Sequence, residues 1–145
     1  MTRVDFYLIE DATAAGRQRA ACRLADKAYR LGHRVYIHAG DAQEARRLDD
    51  LLWTFSAGAF VPHRLVSADA PDAAGETVLI GHEEPPAGVN GVLISLQEDV
   101  PPCFSRFERM VELVTSDEAD RRRARERYRF YRDRGYPLEK HEVAL

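Results

Sequence analysis

The chain has 145 residues, 45% of them hydrophobic and 31% charged, with a formal net charge of −3. That length suits one domain over 1–145, large enough to bury a core without disulfides or metal. Two widely separated cysteines, Cys22 and Cys103, exclude a disulfide framework and a paired metal knuckle.

Met1-Thr2-Arg3-Val4-Asp5-Phe6 lacks the apolar stretch of a signal peptide, and no apolar run is long enough to span a bilayer. A cytoplasmic location with reduced thiols is expected. Val4 to Ile9 reads as a buried first strand. Thr13 to Leu31 reads as a helix with Ala21, Leu24, Ala25, Ala28 and Leu31 on one apolar stripe. Gly32 supplies its left-handed terminator. Val35 to Ala39 is a second strand. Asp41-Ala42-Gln43-Glu44 forms a capping-box pattern that opens a helix to about Trp53, with Ala45, Leu48 and Leu52 inward.

Thr54 to Ala74 is irregular and carries the apolar segment Phe60-Val61-Pro62. Thr77 to Ile80 and Val92 to Leu96 are strand candidates, separated by a Pro- and Gly-rich loop over His82 to Gly91. Phe104 to about Met110 looks helical, and Val111 to Val114 either extends that helix or forms an edge strand, the strand being the favoured reading. Thr115-Ser116-Asp117-Glu118 is a second capping pattern, and the helix it opens runs from Asp117 to Arg134, ended by Gly135 and Pro137. Strands alternating with helices through short links predict an α/β fold with a mostly parallel central sheet flanked by helices.

The last helix concentrates charge. Arg121 to Arg134 holds eight arginines against Glu126 and Asp133, so the rest of the chain is acidic. One basic patch on an acidic body points to one anionic ligand or partner, and less to general nucleic-acid binding. On a helical wheel Arg121, Arg125, Tyr128 and Arg132 form a narrow stripe. Ala124 and Tyr131 lie beside it and are placed to pack on the sheet. Guanidinium groups at such a border can hold a carboxylate bidentately. The pattern alone leaves this reading level with an ordinary solvated face.

Catalytic chemistry is not visible. The turn after the first strand, Glu10-Asp11-Ala12-Thr13-Ala14-Ala15-Gly16, offers one glycine and two carboxylates where a phosphate needs N–H donors. The five histidines show no ligand spacing. Ser95 lacks the glycines of a nucleophile elbow, and Asp49-Asp50 diverge on a helix. The apolar residues Trp53, Phe55, Phe60 and Val61 at a helix end and loop read either as sheet-edge core or as a partner site.

Ala124-Arg125-Glu126-Arg127-Tyr128-Arg129-Phe130-Tyr131-Arg132 resembles the C-terminal signature of the chi subunit of bacterial DNA polymerase III. So does Leu48-Asp49-Asp50-Leu51-Leu52-Trp53 with its following Phe60-Val61-Pro62-His63. Val92-Leu93-Ile94-Ser95-Leu96 and Phe6-Tyr7-Leu8-Ile9 fit the same family in order and spacing, so the resemblance covers nearly the whole chain.

The resemblance implies a Rossmann-like single domain without a nucleotide-binding loop, with no catalysis of its own and no cofactor or metal. It implies an accessory subunit of the clamp-loader assembly in DNA replication. Such a subunit pairs with psi and binds the acidic, Phe-terminated tail of single-stranded DNA-binding protein (SSB), so its contact with DNA is indirect. The implied tail site is Val114, Arg121, Arg125, Tyr128 and Arg132. The implied psi surface, shared with a helicase-like repair protein, is Trp53, Phe60, Val61 and Pro62. Arg121 stands where a lysine is expected, and Thr115 where some relatives have proline. The rival expectations are a direct single-stranded DNA-binding module and a nucleotide-dependent enzyme.

Overall fold

The computed structural model describes residues 1–66 and 78–143. Along them run β1 (Arg3–Ile9), α1 (Ala14–Arg30), β2 (Val35–His38), α2 (Ala42–Leu51), β3 (His63–Leu65), β4 (Val78–Gly81) and β5 (Val92–Ser95). A 3-10 turn (Pro102–Arg106), β6 (Arg109–Val114), α3 (Glu118–Asp133) and β7 (Leu138–Val143) complete the order. The strands form one sheet, β3-β4-β2-β5-β6-β1-β7, with every neighbouring pair parallel. The expected α/β architecture is present, and its sheet is parallel throughout.

Parallel strands are buried on both faces, and alternate side chains serve opposite layers. Val35 and Ile37 of β2, with Val92 and Ile94 of β5, meet Ala21 and Ala25 of α1 and Leu48 of α2. Tyr36, Leu93 and the β1 residues Val4 and Phe6 face the other way, toward Ala124 and Tyr131 of α3. Burial pushes the Cys22 thiol up to about 12 and also raises Cys103, so both behave as small core groups.

Local chemistry sets the helix ends. The Thr13 hydroxyl accepts from Gly16 N–H at 3.0 Å, and the Asp11 carboxylate accepts from Thr13 N–H at 2.8 Å. Any side chain at Gly16 would strike that carboxylate. The turn after β1 is thus closed by its own anion, where a phosphate site needs free donors. Asp41 caps α2 by accepting from Glu44 N–H at 2.8 Å, while the Glu44 carboxylate reaches back to Gly40 N–H at 2.8 Å. Gly32, at φ 87°, turns the chain out of α1.

Several expectations change. Phe104 to Met110 is not an α-helix: a short 3-10 turn gives way at Phe107 to extended backbone and then β6. β6 is central and not an edge strand, because β5 and β1 pair with it on either side. Leu31 leaves the α1 stripe as the C-cap and is 66% exposed. α2 ends at Leu51, and Trp53 lies in the turn beyond. The irregular middle contains β3, which pairs with β4. Its remainder to Ala74, and Thr77, lie outside the described residues.

The tail after Pro137 forms β7, paired with β1. A buried cluster holds it there. Asp5 accepts from Arg109 Nε at 2.6 Å, and its other oxygen lies 3.0 Å from His141 Nε2. The His141 ring stacks on Tyr7 at 4.6 Å. Burial alone would raise the Asp5 carboxyl, but His141, Arg109 and Arg3 outweigh it and hold it below its ordinary value.

Candidate functional site

α3 crosses the sheet over β6 and β1. Asp117 caps it, accepting from Asp120 N–H at 3.0 Å. The Asp120 carboxylate in turn accepts from both Thr115 N–H and Thr115 Oγ1–H at 2.8 Å. Proline at 115 could not supply that N–H, so the threonine gives this helix its own entry geometry.

Asp120, Ala124, Arg127 and Tyr131 form the buried face of α3. Arg127 is therefore a core residue and not part of the basic surface. Its Nε donates to Glu112 of β6 at 2.9 Å, and its Nη1 donates to Glu98 O at 2.8 Å. The Tyr131 hydroxyl donates to the other Glu112 oxygen at 2.8 Å. Burial pushes the Glu112 carboxyl upward, while Arg127 and Tyr131 pull it back. Tyr131 itself is raised by burial and by the carboxylate it faces.

The opposite shoulder of α3 borders a cavity of about 270 Å³. Arg121, Arg125, Tyr128 and Arg132 line it from the helix, and Val114 from the end of β6, so all five expected tail-site residues come together. The sequence reading missed Phe6 and Leu8 of β1, Lys140 of β7 and Arg129 of α3, which also line it. Lys140 reaches the site because the β1–β7 register sets it beside Phe6. The Tyr128 ring meets Phe6 edge-on at 5.3 Å and carries the Lys140 ammonium 4.7 Å from its centroid. It is thus a fixed wall with a cation behind it.

The cations differ in freedom. Arg121 Nε donates to Thr115 O at 3.2 Å, which orients the guanidinium at the mouth. Arg132 contacts Asp133 at 3.2 Å, both being largely exposed, a pairing worth only ~0–1 kcal/mol. Arg125 is exposed and has no hydrogen bond or ion pair among the described residues. An apolar floor of Phe6, Leu8, Val114 and Ala124 under such a rim suits a ligand with one apolar group and several negative charges.

The second expected surface is partly assembled. Trp53 is 56% and Phe60 69% exposed, and their rings lie 5.8 Å apart. Pro62 is half-buried beside them. Val61 is fully buried in the core, so its side chain anchors the loop. His63 backs Trp53 at 4.5 Å, with its ring nitrogens 2.6 Å from Val61 O and 3.0 Å from Asp49 O.

Ser95 and Asp5 are engaged elsewhere. Ser95 is buried and accepts from Gln97 N–H at 3.2 Å. Asp5, Glu139 and His141 bring potential ligand atoms within 4.8 Å of one another. Asp5, however, is already paired with Arg109 and Arg3, whose charges oppose a cation.

A family model described as DNA polymerase III chi subunit, HolC, matches residues 1–139. The chain is 43% identical over 143 residues to DNA polymerase III subunit chi of Pseudomonas aeruginosa, covering 99% of this chain and 98% of that one. It is 31% identical to the Escherichia coli protein of the same name, over 95% of this chain and 96% of that one. The Haemophilus influenzae counterpart is 28% identical, with 95% of each chain covered. Among solved structures, T4 UvsW superposes with a TM-score of 0.70 at 9% identity, covering 99% of this chain and 41% of that one. That is a likeness of fold alone.

Proposed function

The chain belongs to the DNA polymerase III chi-subunit family, and from that premise we propose that it is a non-catalytic adaptor of DNA replication. In this reading the cavity beside α3 holds the acidic, Phe-terminated tail of SSB. The Trp53–Phe60 patch takes psi or an equivalent clamp-loader partner, or in its place a helicase-like repair protein. The protein then works at the replisome in the cytoplasm and meets DNA only through SSB.

The observation that carries this reading is the unpartnered Arg125 at the rim of an apolar cavity. Arg125 holds the terminal carboxylate, and Val114 with the Tyr128 ring accepts the benzyl group. Arg121, Arg132 and Lys140 attract the upstream carboxylates. Exposed pairs contribute ~0–1 kcal/mol each, so selectivity comes from the half-enclosed carboxylate and the ring pocket. Affinity is about micromolar and falls as salt rises.

The two surfaces can be filled together. The cavity sits at the β1–β7 side of the sheet and the aromatic patch near β3, at the other edge. Six strand spacings separate these edges, roughly 29 Å.

Calorimetric titration with an acidic peptide ending in phenylalanine tests the reading. Arg125→Ala is expected to weaken binding about tenfold or more, a loss of roughly 1.4 kcal/mol. Unchanged affinity removes the cavity from consideration.

A further inference from the structure

β7 is an edge strand with little apolar surface to hold it. Of its residues only Leu138 and Val143 pack on the core, and Glu139, Lys140, His141 and Glu142 lie between them. It pairs with β1 alone. Successive side chains of a strand face opposite ways. The register sets Lys140 beside Phe6, in the layer under α3, and His141 beside Tyr7, in the layer under α1. Lys140 therefore turns to the cavity, and His141 to the far face of the sheet.

On that far face His141 makes the one side-chain hydrogen bond of β7 to β1 among the described residues, its Nε2 lying 3.0 Å from Asp5 Oδ1. Asp5 is fully buried, and its other oxygen is taken by Arg109 at 2.6 Å and Arg3 at 3.2 Å. The His141 ring stacks on Tyr7, whose hydroxyl is in turn fixed by Arg109 at 2.6 Å. Glu139, on β7 itself, stands 3.8 Å from Nε2. Without the imidazole, one oxygen of a buried carboxylate has no donor and β7 loses its side-chain tie.

We infer that His141 is a positioning residue for the cavity on the other side of the sheet. Resting on the tail-site reading, its bond to Asp5 latches β7 onto β1 and so holds the Lys140 ammonium 4.7 Å from the Tyr128 ring centroid, where both meet the acidic tail. The two side chains lie on opposite faces, so the coupling runs through strand position and not through contact. The tail's affinity is thus set in part by a residue it never touches.

Two measurements test the latch. The first needs no peptide. In wild type the Tyr128 ring is expected to shift the Lys140 ε-methylene protons upfield. His141→Phe keeps a ring on Tyr7 but has no donor for Asp5, and is expected to move that signal toward the free-lysine value. His141→Gln retains a donor and is expected to leave it near wild type. An unchanged Lys140 signal in His141→Phe, or an equal change in His141→Gln, overturns the latch and leaves the site reading standing. The second is a double-mutant cycle read by titration with an acidic peptide ending in phenylalanine. Lys140→Gln and His141→Phe are each expected to weaken binding about threefold, in line with one exposed charge. The double variant is expected to lose about threefold as well, because both changes act on the same contact. A loss of about ninefold overturns action through Lys140. Unchanged affinity in His141→Phe overturns the link to the tail. Absence of binding to wild type overturns the site reading and that link with it, whereas the Lys140 signal still decides the latch.

Discussion

Arg127 and Arg125 stand two residues apart on α3 and have opposite physical roles. Arg127 turns inward, is 4% exposed, and is committed to Glu112 at 2.9 Å and Glu98 O at 2.8 Å. Arg125 turns outward, beside an apolar cavity, with its donors unspent. The residue type is the same and the helix is the same; the difference is about 160° of helix phase. A charged patch in a sequence therefore mixes groups that hold the fold with groups that can hold a partner. Pairing and burial separate the two.

The largest expected effect breaks the inner face. Arg127→Ala leaves Glu112 buried without its counter-charge and should cost about 3–5 kcal/mol in chemical denaturation. Replacing both partners, Arg127→Met with Glu112→Leu, should recover most of that loss. Val61→Ala empties part of the core and should cost about 1–3 kcal/mol. Phe60→Ala, its exposed neighbour, should stay within about 0.5 kcal/mol of wild type while weakening a psi-like partner in a pull-down. Equal losses at the two positions would make Phe60 a core residue.

Asp5→Asn sharpens the comparison from behind the cavity, because Asp5 ties β7 to β1 through His141. The Asp5 carboxyl is held low in the fold, so its stabilisation is present above the ordinary carboxylate value. It is lost as pH falls through the folded value. The variant should be about 1.5 kcal/mol less stable near neutrality. The gap between the two proteins should close as pH falls below the ordinary carboxylate range and wild-type Asp5 takes up its proton. A gap that stays constant into acid would mean that the ionised form contributes nothing. The smallest effect is that of Arg125→Ala on stability, within about 0.5 kcal/mol, although binding changes. A loss comparable to that of Arg127→Ala would erase the distinction between the two faces.

Legibility in the sequence followed locality. β1, α1, β2, α2, β5 and α3 announce themselves through apolar periodicity and side-chain caps such as Thr13, Asp41 and Asp117. The edge strands β3 and β7 do not. His63-Arg64-Leu65 and Leu138 to Val143 are short or heavily charged, and only their neighbours β4 and β1 make them strands. β6 was obscured by Glu112, a carboxylate inside an apolar run whose partner Arg127 lies 15 residues on. The stripe of Arg121, Arg125, Tyr128 and Arg132 was readable from helical phase. The inward set was readable the same way, because Asp120, Ala124, Arg127 and Tyr131 recur at i, i+4, i+7 and i+11. Arg127 was hidden only by its charge. Phe6 and Lys140 carry no local signal, since strand order alone brings them to the cavity.

That last juxtaposition has a consequence for folding. The cavity floor includes Phe6 and its far wall Lys140, with α3 between them in chain order. Until β7 docks on β1, a folding chain displays the cations of α3 without the lysine and strand that complete the groove. Contacts between such distant segments form late, because chain closure must precede them. Partner capture then becomes a test of finished folding: a chain whose last strand has not docked carries the charge of the site without its shape.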